Sequence, residues 1–98
     1  MIKVDVSKKN IVISGHAMFD DYGKDIVCAS ASSIVITSIN AILRIDDKAL
    51  IYKMSKDKLS IEIIHETDVV NKLILNMIDL LKELEKQYKK NIQVTEEV

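Results

Sequence analysis

The first seventeen residues form two short stretches in which apolar and polar positions alternate. "IKVDV" (2–6) alternates as a half-buried strand does, and "IVISGHA" (11–17) continues with β-branched residues. "SKKN" (7–10), between them, has the composition of a turn. The pattern therefore predicts a β-hairpin, and the polar stretch "MFDDYGK" (18–24) that follows predicts a loop.

From Asp25 onward the pattern changes to a long stretch without a breaker. "DIVCASASSIVITSINAILRI" (25–45) is too long for a strand in a 98-residue chain and predicts a helix, although its β-branched residues oppose that assignment. The segment is apolar around most of its circumference, so we expect it to be buried on more than one side. Its first turns carry only small side chains, from Cys28 to Ser33, which would let a second backbone or a substrate come close.

The second half of the chain predicts another hairpin and an amphipathic helix. Segments 49–55 and 59–65 have strand composition, with "DDK" (46–48) before them and "KDK" (56–58) between them. Thr67 or Asp68 can cap the next helix. Its apolar residues recur at steps of three and four: Val70, Leu73, Ile74, Met77, Leu81, Leu84 and Tyr88. "IQV" (92–94) predicts a short closing strand, and "TEEV" is expected to fray.

The order of these elements, ββαββα(β), predicts an α+β fold of two layers. A sheet of four to five strands would be covered on one face by two helices. The chain has no internal linker, repeat or low-complexity tract, so residues 1–98 are expected to form a single domain.

Composition and charge exclude several functional classes. A net charge of −1 argues against direct binding of nucleic acid, which normally requires a basic excess. No continuous apolar run approaches the ~18 residues of a membrane span, so no membrane association is expected. The start of the chain lacks the pattern of a secretory leader. A single cysteine cannot form an internal disulfide, which fits a reducing cytoplasm.

His16 and Cys28 are the residues with the greatest chemical potential. If Asp25 is the N-cap of the predicted helix, Cys28 is its third residue, where the helix dipole lowers the pKa of a thiol and favours the thiolate. His16 ends the second strand, directly after Gly15, and a histidine placed near the helix N-terminus could accept the thiol proton. The sequence therefore allows a cysteine–histidine dyad.

Two other interpretations use the same residues. A lone cysteine is more often a small buried apolar residue than a nucleophile, and a lone histidine is more often structural. A zinc site would need His16, Cys28, His65 and an acidic residue, but their spacing matches no zinc motif. We therefore expect neither a metal nor another cofactor.

The segments "SGHA" (14–17) and "GKDIVCASAS" (23–32) resemble the ribosomal-processing cysteine protease family, Prp. That family carries G-H-A, a loop of similar length, and then G-x-D-[IV]-V-C-A-x-x-S. The positions that match in order are Gly15, His16, Ala17, Gly23, Asp25, Val27, Cys28, Ala29 and Ser32. The resemblance extends over essentially the whole chain, including its length and its order of elements.

The resemblance implies a function and a role for each motif residue. Members are cytoplasmic bacterial cysteine endopeptidases that act as homodimers and remove an N-terminal extension from a large-subunit ribosomal protein. His16 would be the general base and Cys28 the nucleophile, with Gly15, Asp25 and Ser32 as substrate-binding or supporting residues. The resemblance also implies a mobile loop over the substrate, formed by Met18, Phe19, Asp20, Asp21, Tyr22, Gly23 and Lys24.

The sequence leaves the roles around the helix start open. Asp25 could cap the helix, orient His16 or contact the substrate. The N–H groups of the first helical turn could stabilise an oxyanion, but an Asp25 cap would compete for one of them. An alternative function of a different class is a non-catalytic, ribosome-associated dimer in which His16 and Cys28 only pack.

Overall fold

Five strands and two helices make up the part of the chain that this computed structural model describes, residues 1–15 and 26–97. In chain order they are β1 (Ile2–Val6), β2 (Asn10–Ser14), α1 (Ile26–Ile45), β3 (Leu50–Met54), β4 (Lys58–Ile63), α2 (Asp68–Gln87) and β5 (Ile92–Glu96). The observed order ββαββαβ confirms the predicted α+β class, including the closing strand.

The strands form one sheet in the order β3-β4-β2-β1-β5. Three neighbouring pairs are antiparallel, and β5 alone runs parallel to its neighbour β1. The first hairpin therefore lies inside the sheet, and β3 and β5 form its two edges.

One face of the sheet is apolar and buried because the alternation of each strand is in register with its neighbours. Val4 lies opposite Ile13, and Ile13 lies opposite Leu59. All three side chains are fully buried, whereas Lys3 and Asp5, which point to the other face, are exposed. The buried face forms one core with both helices, so the prediction of a sheet covered on one face is confirmed.

Helix α1 is buried along one side only. The side chains in the core are Val27, Cys28, Ala31, Val35, Ile39 and Ile42. At about 100° per residue these positions fall within roughly 120° of the helix circumference. The opposite side carries exposed Ala29, Ser33, Thr37 and Asn40. The expectation that α1 is buried on more than one side is therefore wrong for a single chain, because small and hydroxyl residues occupy the outer side.

Helix α2 has the predicted amphipathic stripe and the first of the two predicted caps. The Thr67 hydroxyl accepts a hydrogen bond from the Val70 N–H at 3.2 Å, and Asp68 is the first helical residue. The predicted apolar positions are buried or half-buried, and Ile78 joins them in the core.

Strand β5 is longer than predicted, and two side chains of α2 bind it. Thr95 and Glu96 pair with β1, so the expected fraying is wrong for these two residues. The Glu85 carboxylate accepts a hydrogen bond from the Val94 N–H at 2.8 Å, and Lys82 forms an ion pair with Glu96 at 2.6 Å. The hydrogen bond with Glu96 raises the pKa of Lys82.

Candidate active site

Cys28 is the third residue of α1, the position that the sequence predicted for it. The first turn of a helix carries the positive end of its dipole, which favours a thiolate over a thiol. The side chain is 6% exposed and belongs to the hydrophobic core. Cys28 thus combines the electrostatic position of a nucleophile with the burial of a packing residue.

Ser32, the other motif residue within α1, lies one helical turn after Cys28. Residues four apart share a helix face, so the half-buried Ser32 and Cys28 are on the same side of α1. The structure therefore brings these two predicted site residues together at the start of the helix.

Gly15 follows β2 directly and precedes His16 in the chain. Its backbone conformation explains why this position is a glycine. Its φ is +116°, a region that L side chains rarely adopt. A Cβ there would collide with the Met1 carbonyl oxygen and would lie 3.1 Å from the Ile2 Cα. The Gly15 N–H donates to the Asp57 carbonyl oxygen at 3.2 Å, which ties this end of β2 to the β3–β4 turn. Gly15 therefore has a backbone role.

The remaining predicted site residues lie outside the described residues. These are His16, Asp25 and the predicted loop Met18 to Lys24. Their predicted roles stay predictions.

His65, the second histidine, has a partner far from Cys28. Its Nδ1 lies 2.6 Å from Asp46 Oδ2, and Asp46 directly follows the last residue of α1. The eighteen residues from Cys28 to Asp46 span about 27 Å along a helix. His65 therefore lies toward the opposite end of α1 from Cys28, which argues against a zinc site that includes both. No sequence pattern indicated this pair, because its members are nineteen residues apart.

The Asp46–His65 pair predicts a specific pH dependence. Hydrogen bonds from His65 and then from the Lys48 N–H lower the pKa of Asp46 below its ordinary value of 3.8. A lowered folded-state pKa stabilises the fold above the unfolded-state pKa, and this contribution is lost as pH falls through the folded-state value. We expect Asp46→Asn to lose less thermal stability than the wild type on acidification below about pH 4. The matched control is Asp47→Asn, which removes the exposed neighbouring carboxylate; equal acid sensitivity in both variants and the wild type would contradict the prediction.

An open groove of about 560 Å³ runs between the two helices, on the side of α1 away from Cys28. Its lining comes mostly from the outer side of α1: Ala29, Ser30, Ser33, Ile34, Thr37 and Ser38, with Asn76 and Leu80 from α2. The Ser38 hydroxyl donates to the Ile34 carbonyl oxygen at 2.7 Å, so that hydroxyl is engaged within the helix. The groove has mixed small, apolar and hydroxyl character.

Within the described ranges, α1 is the one helix long and apolar enough to cross a membrane by length and composition. Its most apolar 18-residue window has a mean hydropathy of 2.0, and a third of that window is buried. The buried third lies in the same core as the sheet. A core helix of a folded domain has the same length and hydropathy, so these properties do not distinguish a membrane span from a core helix.

Comparison with known proteins connects this geometry with a protease family. The sequence model of the family described as Cysteine protease Prp matches residues 1–93. The ribosomal processing cysteine protease Prp of Staphylococcus aureus (strain Mu50 / ATCC 700699) is 30% identical over 103 residues, with 96% of this chain and 97% of that protein covered. The Bacillus subtilis (strain 168) protein of the same name is 29% identical over 93 residues, with 85% and 80% covered.

Two solved structures of an essential ribosomal processing protease Prp from S. aureus share the fold. The complex with a covalently linked product peptide has a TM-score of 0.89 at 26% identity and covers 99% of this chain and 100% of that chain. The complex with a substrate peptide has a TM-score of 0.87 at 25% identity, with the same coverage. A fold of this kind therefore supports a covalent bond to a peptide in a relative.

Proposed function

This chain belongs to the cysteine protease Prp family, and from that premise we propose that it is an endopeptidase with Cys28 as nucleophile and His16 as general base. The proposed substrate is a large-subunit ribosomal protein with an N-terminal extension, which the enzyme removes in the cytoplasm. The relatives' name, ribosomal processing cysteine protease, supports the choice of substrate.

In the proposed reaction His16 accepts the proton from Cys28 Sγ, and the thiolate attacks the scissile carbonyl carbon. The tetrahedral intermediate collapses when the C–N bond breaks, and the imidazolium of His16 protonates the leaving amine. A water molecule, deprotonated by His16, then hydrolyses the thioester and releases the acid product and the free thiol. Donors near the helix start would stabilise the oxyanion in both steps.

The position of Cys28 is the observation that carries this proposal. It lies in the first turn of α1, and the S. aureus relative of the same fold holds a covalently linked product peptide. Gly15 supports the dyad as well, because its backbone fixes the strand end from which His16 continues. A structural cysteine would require neither a position in the first turn of a helix nor a strand end fixed by Gly15.

The direct test is incubation with the N-terminally extended ribosomal protein and measurement of the product masses. We expect two products whose masses sum to that of the substrate plus one water, and a free N-terminus on the larger one. An intact substrate after prolonged incubation with folded enzyme would contradict the proposal.

The burial of Cys28 favours a second candidate function, the non-catalytic ribosome-associated dimer. At 6% exposure, Cys28 would be a packing residue in such a protein. A small alkylating reagent distinguishes the two functions: a nucleophilic thiolate reacts quickly in the native protein at neutral pH, and a purely structural thiol reacts only on unfolding.

We also expect the chain to be a homodimer. Helix α1 has a mean hydropathy of 2.0 over its most apolar window, yet two thirds of that window is not buried in one chain. A second copy on the outer side of α1, where side chains are small, would bury more of it. Sedimentation at micromolar concentration should give about twice the monomer mass of 11.1 kDa, and a monomer mass would contradict the expectation.

A further inference from the structure

Strand β3 is an open sheet edge on which two of the three core-facing side chains are exposed, while Leu50 at its start is buried. Tyr52 and Met54 lie on the same face as their strand partners Ile61 and Leu59. Ile61 is 1% and Leu59 0% exposed, but Tyr52 is 43% and Met54 50% exposed. Among the described residues the helical layer therefore covers β4 and the start of β3 but leaves Tyr52 and Met54 exposed.

The backbone of β3 is also available on its outer side. Ser55 donates to the Lys58 carbonyl, and Ile64 donates to that of Ala49, so the odd-numbered residues of β3 bond to β4. Leu50, Tyr52 and Met54 consequently direct their N–H and C=O groups away from the sheet. In the described part of the chain no strand pairs with this edge, whereas at the β5 edge Glu85 binds the Val94 N–H. An open, proline-free edge strand can accept an extended segment.

The open edge leads toward the candidate nucleophile. The turn after α1 reverses the chain, with the Ala49 N–H donating to the Asp46 carbonyl, so α1 runs back across the sheet antiparallel to β3. The first turn of α1 thus lies toward the Met54 end of β3. Gly15 lies at the same end, because its N–H bonds to Asp57 in the β3–β4 turn.

The flank of α1 that carries Ser32 and Ile36 faces the β3 side of the sheet. The groove toward α2 is lined by Ser30, Ile34 and Thr37, which mark one flank of the helix. At about 100° per residue, Ser32 and Ile36 lie on the flank away from α2, and both are half-buried. Because α2 packs with β5 at one side of the sheet, this second flank faces β4 and β3.

The geometry points to β3 as the docking strand for the peptide substrate. We infer that an extended peptide with apolar side chains adds to the free edge of β3, its alternate side chains covering Tyr52 and Met54, and is led along the α1 flank to Cys28. This inference rests on the proposed endopeptidase function and specifies how the substrate is held. Backbone hydrogen bonds would give affinity, and the two exposed side chains would select apolar residues.

The first test is kinetic and uses a synthetic peptide that spans the junction between the N-terminal extension and the rest of the ribosomal protein. Tyr52→Ala should raise KM about tenfold with little change in kcat, because it removes binding away from the reacting atoms. Tyr52→Pro should raise KM about fivefold further, because proline removes one outward N–H from an edge position that tolerates it. The matched control is Ile51→Ala: Ile51 is 51% exposed on the same strand but on the opposite face, and its loss should leave KM unchanged.

The second test is amide hydrogen exchange of the Cys28→Ala chain with and without the same peptide. The amides of Tyr52 and Met54 should exchange freely alone and become protected with peptide. Peptide binding without this protection would overturn the inference. Protection that appears without peptide and grows with protein concentration would also overturn it, because the edge would then hold a second copy of the chain.

The two proposals fail in different ways. A folded wild type that cleaves nothing contradicts the endopeptidase function, and the exchange experiment still decides whether peptide docks on β3. A wild type that cleaves the peptide with the same KM as Tyr52→Ala contradicts the docking strand alone. The alkylation rate of Cys28 should be equal in all three β3 variants, which excludes damage to the site as the cause of a raised KM.

Discussion

Cleavage of the extended ribosomal protein is expected to disappear in Cys28→Ala and Cys28→Ser while the fold persists. Alanine removes the nucleophile, and a serine hydroxyl has too high a pKa to be activated by the position that activates a thiol. His16→Ala should lose about 10²–10⁴-fold in kcat, the usual contribution of a general base. The measurement is the initial rate of product formation by mass spectrometry at saturating substrate.

Thermal unfolding of the same variants provides the control for that experiment. Cysteine and alanine differ by one heavy atom, so Cys28→Ala should melt within a few degrees of the wild type even though the site is buried. Wild-type cleavage by either alanine variant would exclude the proposed dyad. Loss of both activity and melting transition would instead identify Cys28 as a packing residue.

The largest loss of stability from one methyl group is expected at Gly15. In Gly15→Ala the added Cβ meets the backbone of Met1 and Ile2, and the residue must keep a φ of +116° that alanine disfavours. Backbone atoms cannot move aside as a flexible side chain can, so the free energy of unfolding should fall by about 2–5 kcal/mol. Thermal or denaturant unfolding of the purified variant measures this change.

The preceding residue offers the matched control for Gly15. Ser14 is in the same strand, is half-buried and pairs with Lys58, and Ser14→Ala should change the free energy of unfolding by less than about 1 kcal/mol. A Gly15→Ala chain as stable as Ser14→Ala would show that β1 and β2 can shift apart at this end. Because Gly15 directly precedes His16, we also expect residual folded Gly15→Ala protein to cleave slowly.

The parts of the fold that the sequence predicted are those in which local pattern and tertiary environment agree. β1 alternates because one face is core and the other is solvent, and α2 has its stripe for the same reason. α1 was predicted from its length and its alanine–serine pattern, against its β-branched residues. Its burial was overestimated because the pattern does not show which apolar positions face a neighbour. β5 was too short in the prediction because its pairing with β1 joins the two ends of the chain.

The candidate site was predicted unevenly for a similar reason. The position of Cys28 in the helix followed from the predicted helix start at Asp25, and the resemblance of the motifs favoured the dyad over the structural interpretation. The need for a glycine at position 15 could not be predicted, because it depends on the close approach of Met1 and Ile2 at the start of the neighbouring strand. The exposure of Tyr52 and Met54 on β3 could not be predicted either. Alternation shows which side chains share a face of the sheet, but it does not show whether a helix covers that face.

The hydrogen bond between Glu85 and the Val94 N–H also limits how these molecules can associate. Sheets that are open at both edges can pair edge to edge with further copies indefinitely, as in a growing fibril. Here a side chain from the molecule's own helix binds the Val94 N–H at one edge, so addition of a strand is favoured at the other. Pairing of single copies through their sheet edges alone would therefore stop at two molecules and would not extend into a cross-β polymer.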